Sequence, residues 1–416
     1  MKVLVLGSGV IGVTTAYYLA RDGHEVTVID RQPEPANETS FANAGLVAPG
    51  HAYAWAAPES PKILFKSLFN PNQALRLRPR VDPRMWSWGL LFLRQCTEKR
   101  ARINTIRKLR LCIDSLDALH EVVKETGVHY DGRTGGNLYL YRTQATFDAG
   151  VTHTSILREN GLELEFVDRD RAAELDSALA PVKHKIAGAI YSPTDESGDA
   201  CMFTRNLADV CRERMGVSFA FETTIQRLEV GGDTIARVVT DKGNFATDIY
   251  VLSLGCDSPF LTRRLGIRLP IYPVKGYSVT VPVGEQHKAP TIGGVDENSL
   301  AAWARMGDRL RITATAEFSG YDRSHKPKDF RFMLSVARDL FPEGGDYEQP
   351  TYWAGLRPMT PEGTPILGKT KYRNLFLNTG HGHIGWTMSC GCARVTADLV
   401  AGRKPEISLE GMILSQ

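Results

Sequence analysis

Cysteine is scarce in this sequence, with seven in 416 residues, an odd count. Cys96, Cys112, Cys201, Cys211 and Cys256 show no metal-ligand spacing, and Cys390 and Cys392 form a lone C-x-C with no second pair. These spacings argue against a disulfide framework and against a zinc site. No metal is expected, and a reducing, cytoplasmic compartment is. Charge of one sign is also nearly absent: 50 basic against 47 acidic residues leave +3, too little to point to nucleic acid as a partner. Repeats and low-complexity tracts are missing. One long apolar run exists, residues 3–20, and after Lys2 it imitates a spanning helix or a signal peptide. Gly7, Gly9 and Gly12 fall where a spanning helix would want Leu or Val, so the run reads as a buried strand followed by a helix. At 43% apolar and 23% charged residues, the rest has the composition of a packed globular chain.

Lys2–Leu6 (KVLVL) has the β-branched and leucine content of a parallel strand covered on both faces. Gly7-Ser8-Gly9-Val10-Ile11-Gly12 follows, a full G-x-G-x-x-G. Val10, Val13, Tyr17 and Ala20 then mark one face of a helix, which Asp22-Gly23 ends. Glu25–Ile29 reads as a second strand with Asp30 at its tip, eighteen residues after Gly12. Each part has a job in holding a dinucleotide. Gly7 permits the tight turn, Gly9 lets the backbone approach a pyrophosphate, and Gly12 allows close helix–strand packing. The helix N-terminus offers free N–H groups to phosphate, and Asp30 suits ribose hydroxyls. This much leaves NAD and FAD both open.

The remainder favours FAD. After Asp30-Arg31 the chain enters a loop of small and polar residues, Glu38 to Gly45 (ETSFANAG), instead of a crossover helix. Residues 374–378 (NLFLN) read as a strand, 379–387 (TGHGHIGWT) as a glycine-rich turn, and 388–400 as a helix with Gly402 beyond its end. A second strand–turn–helix some 370 residues after the first suits a long cofactor gripped at both ends. Its helix N-terminus would stabilise negative charge on a reduced flavin ring. His381 and His383 lack the carboxylate cluster of a metal site. Residues 224–230 and 235–240 read as a hairpin about Gly231-Gly232, and 248–254 (DIYVLSL) as a strand ending at Gly255. Residues 276–283 and 310–316 are β-rich, and 85–126 read as long helices.

Several of these segments together resemble the D-amino-acid oxidase and glycine oxidase superfamily of FAD enzymes, within it the small-subunit type of bacterial D-amino acid dehydrogenase. The resemblance runs over nearly the whole chain. Its carriers are residues 5–32 and 38–45, AWAAP at 54–58, YPVKGYSVTVP at 272–282, GLRPMTPEGTPILG at 355–368 and NTGHGHIGWTMSCG at 378–391. It implies an α/β fold with a discontinuous Rossmann-like FAD-binding domain at 1–50, 195–260 and 350–416. A second, α+β substrate domain on an antiparallel sheet is expected at 51–194 and 261–349. It implies oxidation of a D-amino acid by hydride transfer from Cα to the flavin N5, with electrons leaving to a quinone or another acceptor that is not oxygen. Relatives acting on proline, sarcosine or glycine, and a non-catalytic electron-relay subunit, are the competing expectations. FAD is expected to be non-covalent, because residues 355–365 hold no cysteine.

Residue roles carry over onto matching positions. Arg357 is expected to bind the substrate carboxylate, a task that suits a planar guanidinium. Lys275 is expected near the flavin N5, and Tyr277 over the substrate. His51 and Tyr53 are further pocket candidates. Cofactor contacts are expected from Gly7, Gly9, Val10, Ile11, Gly12, Asp30, Arg31, Ser40, Asn43, Ala44, Gly45, Ile225, Gly255, Gly382, His383, Ile384, Gly385, Trp386 and Thr387. No protein base is required if the amine binds neutral. Residues 76–110 hold eleven basic residues against two acids, interleaved with Trp86, Trp88 and Leu90–Phe92. This segment is read as a candidate for peripheral docking on anionic lipid at the cytoplasmic face of the inner membrane.

Overall fold

The computed structural model describes residues 1–67, 74–78 and 80–414, so residue 79 of the basic segment lies outside the described residues. Lys2–Leu6 forms the expected strand, with Val3 to Leu6 fully buried. It pairs in parallel with Glu25–Ile29 on one side and Ile249–Leu252 on the other. Leu375–Thr379 extends the sheet beyond Ile249–Leu252, while Ser218–Ala220 and the antiparallel Ile366–Lys369 close its edges. Its residues alternate between two cores. Val3 and Val5 face helices Val10–Arg21, Ala200–Met215 and Gly385–Val400. Leu4 and Leu6 face the small sheet of Ile225–Gly231, Thr234–Thr240 and Gly243–Phe245.

A nine-stranded sheet forms the second layer system. It takes strands from 51–194 and 261–349 and one more, Thr351–Met359, which pairs with Tyr272–Pro282 from Thr280↔Thr351 to Tyr272↔Met359. The expected cut at 350 therefore falls one strand early. Most of its pairs are antiparallel, as expected, but Gly293–Asp296 runs parallel to Asn137–Tyr141, and Leu75–Leu77 parallel to Arg309–Phe318. Residues 85–126 form two helices, Pro83–Gln95 and Glu98–Thr126, with Asp82 and Thr97 as N-caps. The C-terminal helix starts at Gly385 rather than 388, so its first turn lies inside the glycine-rich stretch.

Candidate active site

A cavity of about 880 Å3 draws its walls from both large sheets and from the glycine loop. That is near the upper end for small-molecule sites, about 300–1,000 Å3, and leaves room for a long cofactor with a small substrate beside it. Gly7 has a φ of +106°, and a Cβ there would stand 2.7 Å from the Ser253 carbonyl oxygen. At Gly12 a Cβ would lie 1.8 Å from the Gly7 carbonyl oxygen. Glycine alone fits both places. The Val10–Arg21 helix begins at Gly9 without a side-chain cap, and the Val10 amide donates to Ser40 Oγ at 3.0 Å. The Gly385–Val400 helix also begins uncapped, with no acid in its first turn. Two uncapped helix N-termini on one cavity supply amide donors and partial positive charge, a donor set that fits a diphosphate and a ring that gathers negative charge.

Of the expected cofactor contacts, all but Gly12 and Thr387 lie on the cavity wall. Gly12 sits behind Gly7, as its packing role requires. Thr387 Oγ1 instead accepts from the Ala48 amide at 3.0 Å, fixing the neighbouring loop. Asp30 accepts from the Ser8 amide and hydroxyl at 2.7 and 2.8 Å, so its carboxylate also braces the glycine loop. Arg31 bridges Glu38 and Asp257 across the same end.

At the other end stands Arg357. Its side chain crosses Gly276, where a Cβ would lie 2.5 Å from the guanidinium carbon. One Nη1 donates to the Thr315 carbonyl at 3.0 Å. No carboxylate among the described residues pairs with it, and burial pushes its pKa down to about 10. A buried guanidinium with one carbonyl partner has donors in reserve for an anion. Thr315 is the extra residue of a β-bulge, unpaired opposite the Gly276–Tyr277 step, with φ at +68°. For a β-branched residue that is strained, at a cost of about 1–3 kcal/mol. The bulge aims the Thr315 carbonyl at Arg357. Gly276→Ala is expected to displace the guanidinium while the sheet survives, because the obstacle is the end of a side chain rather than backbone. The dissociation constant of a carboxylate inhibitor should rise about tenfold or more at unchanged melting temperature.

His51, Tyr53 and Tyr277 also reach the wall, but Lys275 does not. Its amine turns away to the Ser324 carbonyl and Asp322, because its long stem carries the charge to that loop. Tyr277 is nearly buried and packs on Phe330. The loop at 48–57 presents His51, Tyr53 and Trp55 to the cavity and is pinned from behind. Fully buried Asp195 accepts from the Gly50 amide at 3.0 Å, Thr105 from the Ala54 amide at 3.1 Å, and Lys108 Nζ donates to the Tyr53 carbonyl. Burial raises Asp195 to about 6 and lowers Lys108 to about 8. His383 stacks on Trp55 with ring centroids 4.6 Å apart. Burial, then the charges of Lys108, His51 and Arg357, holds it well below the usual imidazole range, and burial takes His381 down to about 3. Both imidazoles are therefore neutral cavity walls. Sequence reasoning did not single out Trp55, Thr315 or Glu297, which line the cavity, or Lys108, which braces its wall. Only Trp55 left a signal, inside the AWAAP segment.

A family model described as FAD dependent oxidoreductase matches residues 2–399. The chain belongs to that family. It is 50% identical to D-amino acid dehydrogenase 2 of Mesorhizobium japonicum over 413 residues, 99% of each chain. It is 47% identical to D-amino acid dehydrogenase of Agrobacterium fabrum, over 100% of this chain and 99% of that one. Glycine oxidase from Geobacillus kaustophilus superposes with a TM-score of 0.76 at 23% identity, covering 100% of this chain and 98% of that one. The family's FAD fits the donor set just described, with Gly7 to Ile11, Asp30 and Ser40 to Gly45 at one end and Gly382 to Trp386 at the other. FAD, when bound, supplies a two-electron acceptor.

Proposed function

We propose that the chain oxidises D-amino acids. The observation that carries this is the buried, acid-free Arg357 guanidinium at the substrate end of the cavity, which an electron relay would not need. The clamp fixes the substrate carboxylate through paired hydrogen bonds, and the Thr315 carbonyl fixes the clamp. His381 and His383, held neutral by burial, wall the cavity without exchanging a proton, and the substrate amine itself loses its proton before the Cα–H bond breaks. The substrate gives up two electrons and its Cα hydrogen. Water then converts the imino acid to a 2-oxo acid and ammonia. FAD is held without a covalent bond. Anaerobic mixing of the holoenzyme with D- and L-amino acids tests this. D-Amino acids should bleach the flavin absorbance, whereas bleaching by proline, sarcosine or glycine alone would favour a secondary-amine or glycine substrate.

The acceptor is a membrane quinone, and the chain reaches it by docking on anionic lipid. No described helix is long and apolar enough to cross a membrane. Helices Ser60–Ser67 and Pro83–Gln95, however, expose Phe65 by 63%, Trp86 by 57% and Leu90 by 62%. Lys62, Lys66, Arg84 and Arg94 flank them on the surface. Ile63, Leu64 and Phe92 of the same helices line the cavity, so these helices stand between the exposed rings and the cofactor site. The basic run itself contributes less than its count suggests. Lys108 is buried, Arg102 pairs with Glu159 and Arg107 with Glu410. Trp86→Glu with Leu90→Glu should reduce flotation with phosphatidylglycerol vesicles severalfold, and unchanged flotation would remove this part of the reading.

A further inference from the structure

Glu297 is a charged group on the cavity wall that the chemistry above leaves unused. It sits in the turn after strand Gly293–Asp296, with its amide on the Leu140 carbonyl at 3.0 Å. The other acids on the wall, Asp30, Glu38 and Asp257, gather about Ser8 and Arg31 at the dinucleotide end. Glu297 meets an imidazole instead, His51 Nε2 at 3.2 Å, and its side chain is 20% exposed. Among the described residues no lysine or arginine pairs with it. Its surroundings on the wall are aromatic. Tyr53, Tyr141 and His153 line the cavity there, with the Tyr53 and His153 rings 4.2 Å apart. The Tyr53 hydroxyl is buried without a hydrogen-bond partner. Burial, then the nearby Tyr141 and Glu297, pushes its pKa up, so it keeps a proton to donate. A largely buried carboxylate among ring faces, lacking a permanent counter-charge, recognises cations.

Arg357 and Glu297 line one and the same cavity. The His383 and His51 rings are 6.4 Å apart, and His51 touches Glu297. A substrate whose carboxylate sits on Arg357 lies in the same cavity as His383, His51 and Glu297, and its side chain can turn towards them. We propose that this part of the cavity is a subsite for a cation at the far end of the substrate side chain, an ammonium or guanidinium, with Glu297 as its counter-charge and Tyr53 and Tyr141 as its walls. The inference rests on the amino-acid reading above and deepens it: Arg357 fixes the common end of the substrate, and Glu297 reads the variable end. The favoured substrates are long basic D-amino acids.

The test compares D-arginine with D-citrulline, its neutral isostere, on the holoenzyme with a dye acceptor. The native chain should favour D-arginine in kcat/KM by about tenfold or more, and Glu297→Gln should bring the ratio towards one. The isostere ratio of the native chain needs no variant, so a misfolded Glu297→Gln does not spoil it. Turnover of D-citrulline and D-norleucine with no preference for D-arginine would overturn the subsite and leave the D-amino acid reading intact. A preference that survives Glu297→Gln in a folded, flavin-loaded protein would also overturn it. Failure of every D-amino acid to reduce the flavin would remove the broader reading, and the subsite with it.

Discussion

Arg357→Ala is expected to lower kcat/KM for amino acid substrates by roughly 10³-fold while flavin content stays normal. Two charge-assisted hydrogen bonds in a water-poor site are worth about 3–5 kcal/mol together, and each 1.36 kcal/mol is about tenfold in rate. The guanidinium carries little of the fold. Among the described residues it bonds to a carbonyl alone, that of Thr315, and burial already disfavours its charge. Removing it relieves a desolvated cation as well as deleting a contact, so the melting temperature should move little. Arg357→Lys keeps the charge but loses the planar fork, and an intermediate loss of about 10–100-fold is expected. Steady-state kinetics and inhibitor titration on the two variants separate charge from geometry. Equal losses in both would mean that charge without the planar fork contributes nothing, and an undiminished Arg357→Lys would mean that the fork adds nothing to the charge.

Gly12→Ala is expected to abolish flavin retention. The added Cβ would meet the Gly7 carbonyl oxygen at 1.8 Å and its carbon at 2.8 Å. Both are backbone atoms of the loop that must approach the diphosphate, so neither can give way cheaply. The helix would have to lift off the strand, moving the Val10 and Ile11 amides with it. A loss of at least about 100-fold in FAD affinity follows from a displacement near 1 Å. Gly89→Ala on helix Pro83–Gln95 is the control, because a Cβ there meets nothing within 4 Å. Flavin absorbance after purification and reconstitution reads both. A yellow, fully loaded Gly12→Ala protein would show that the loop does not approach the cofactor as argued.

The dinucleotide half of the site was legible because its demands are local. A turn at positive φ and a backbone-to-backbone approach need glycine, and Gly7 and Gly12 advertise that in one dimension. Parallel strands buried on both faces likewise announce themselves as Val and Leu runs. Arg357 was legible through its resemblance to a family, since nothing in Gly355-Leu356-Arg357-Pro358 alone says that no acid will pair with it. Thr315 was hidden for the opposite reason. A threonine is a poor sign of a left-handed bulge, and its strain is imposed by the pairing of Tyr272–Pro282 with Arg309–Phe318. Glu297 and His51 lie 246 residues apart, and only the mixed sheet brings them together. Lys108 looked like one cation in a basic run. Its helix turns it inward, where it anchors the Tyr53 carbonyl. Lys275 sits in a motif that borders the cavity, yet its reach takes the amine to Ser324.

A crystal structure of the FAD-loaded protein with a carboxylate inhibitor would show directly whether Arg357 is the anion clamp. The inhibitor's two carboxylate oxygens should lie on the Arg357 guanidinium at about 2.7–2.9 Å, with the Thr315 carbonyl still bonded behind it. A carboxylate bound elsewhere in the cavity, with Arg357 facing water or protein, would contradict it.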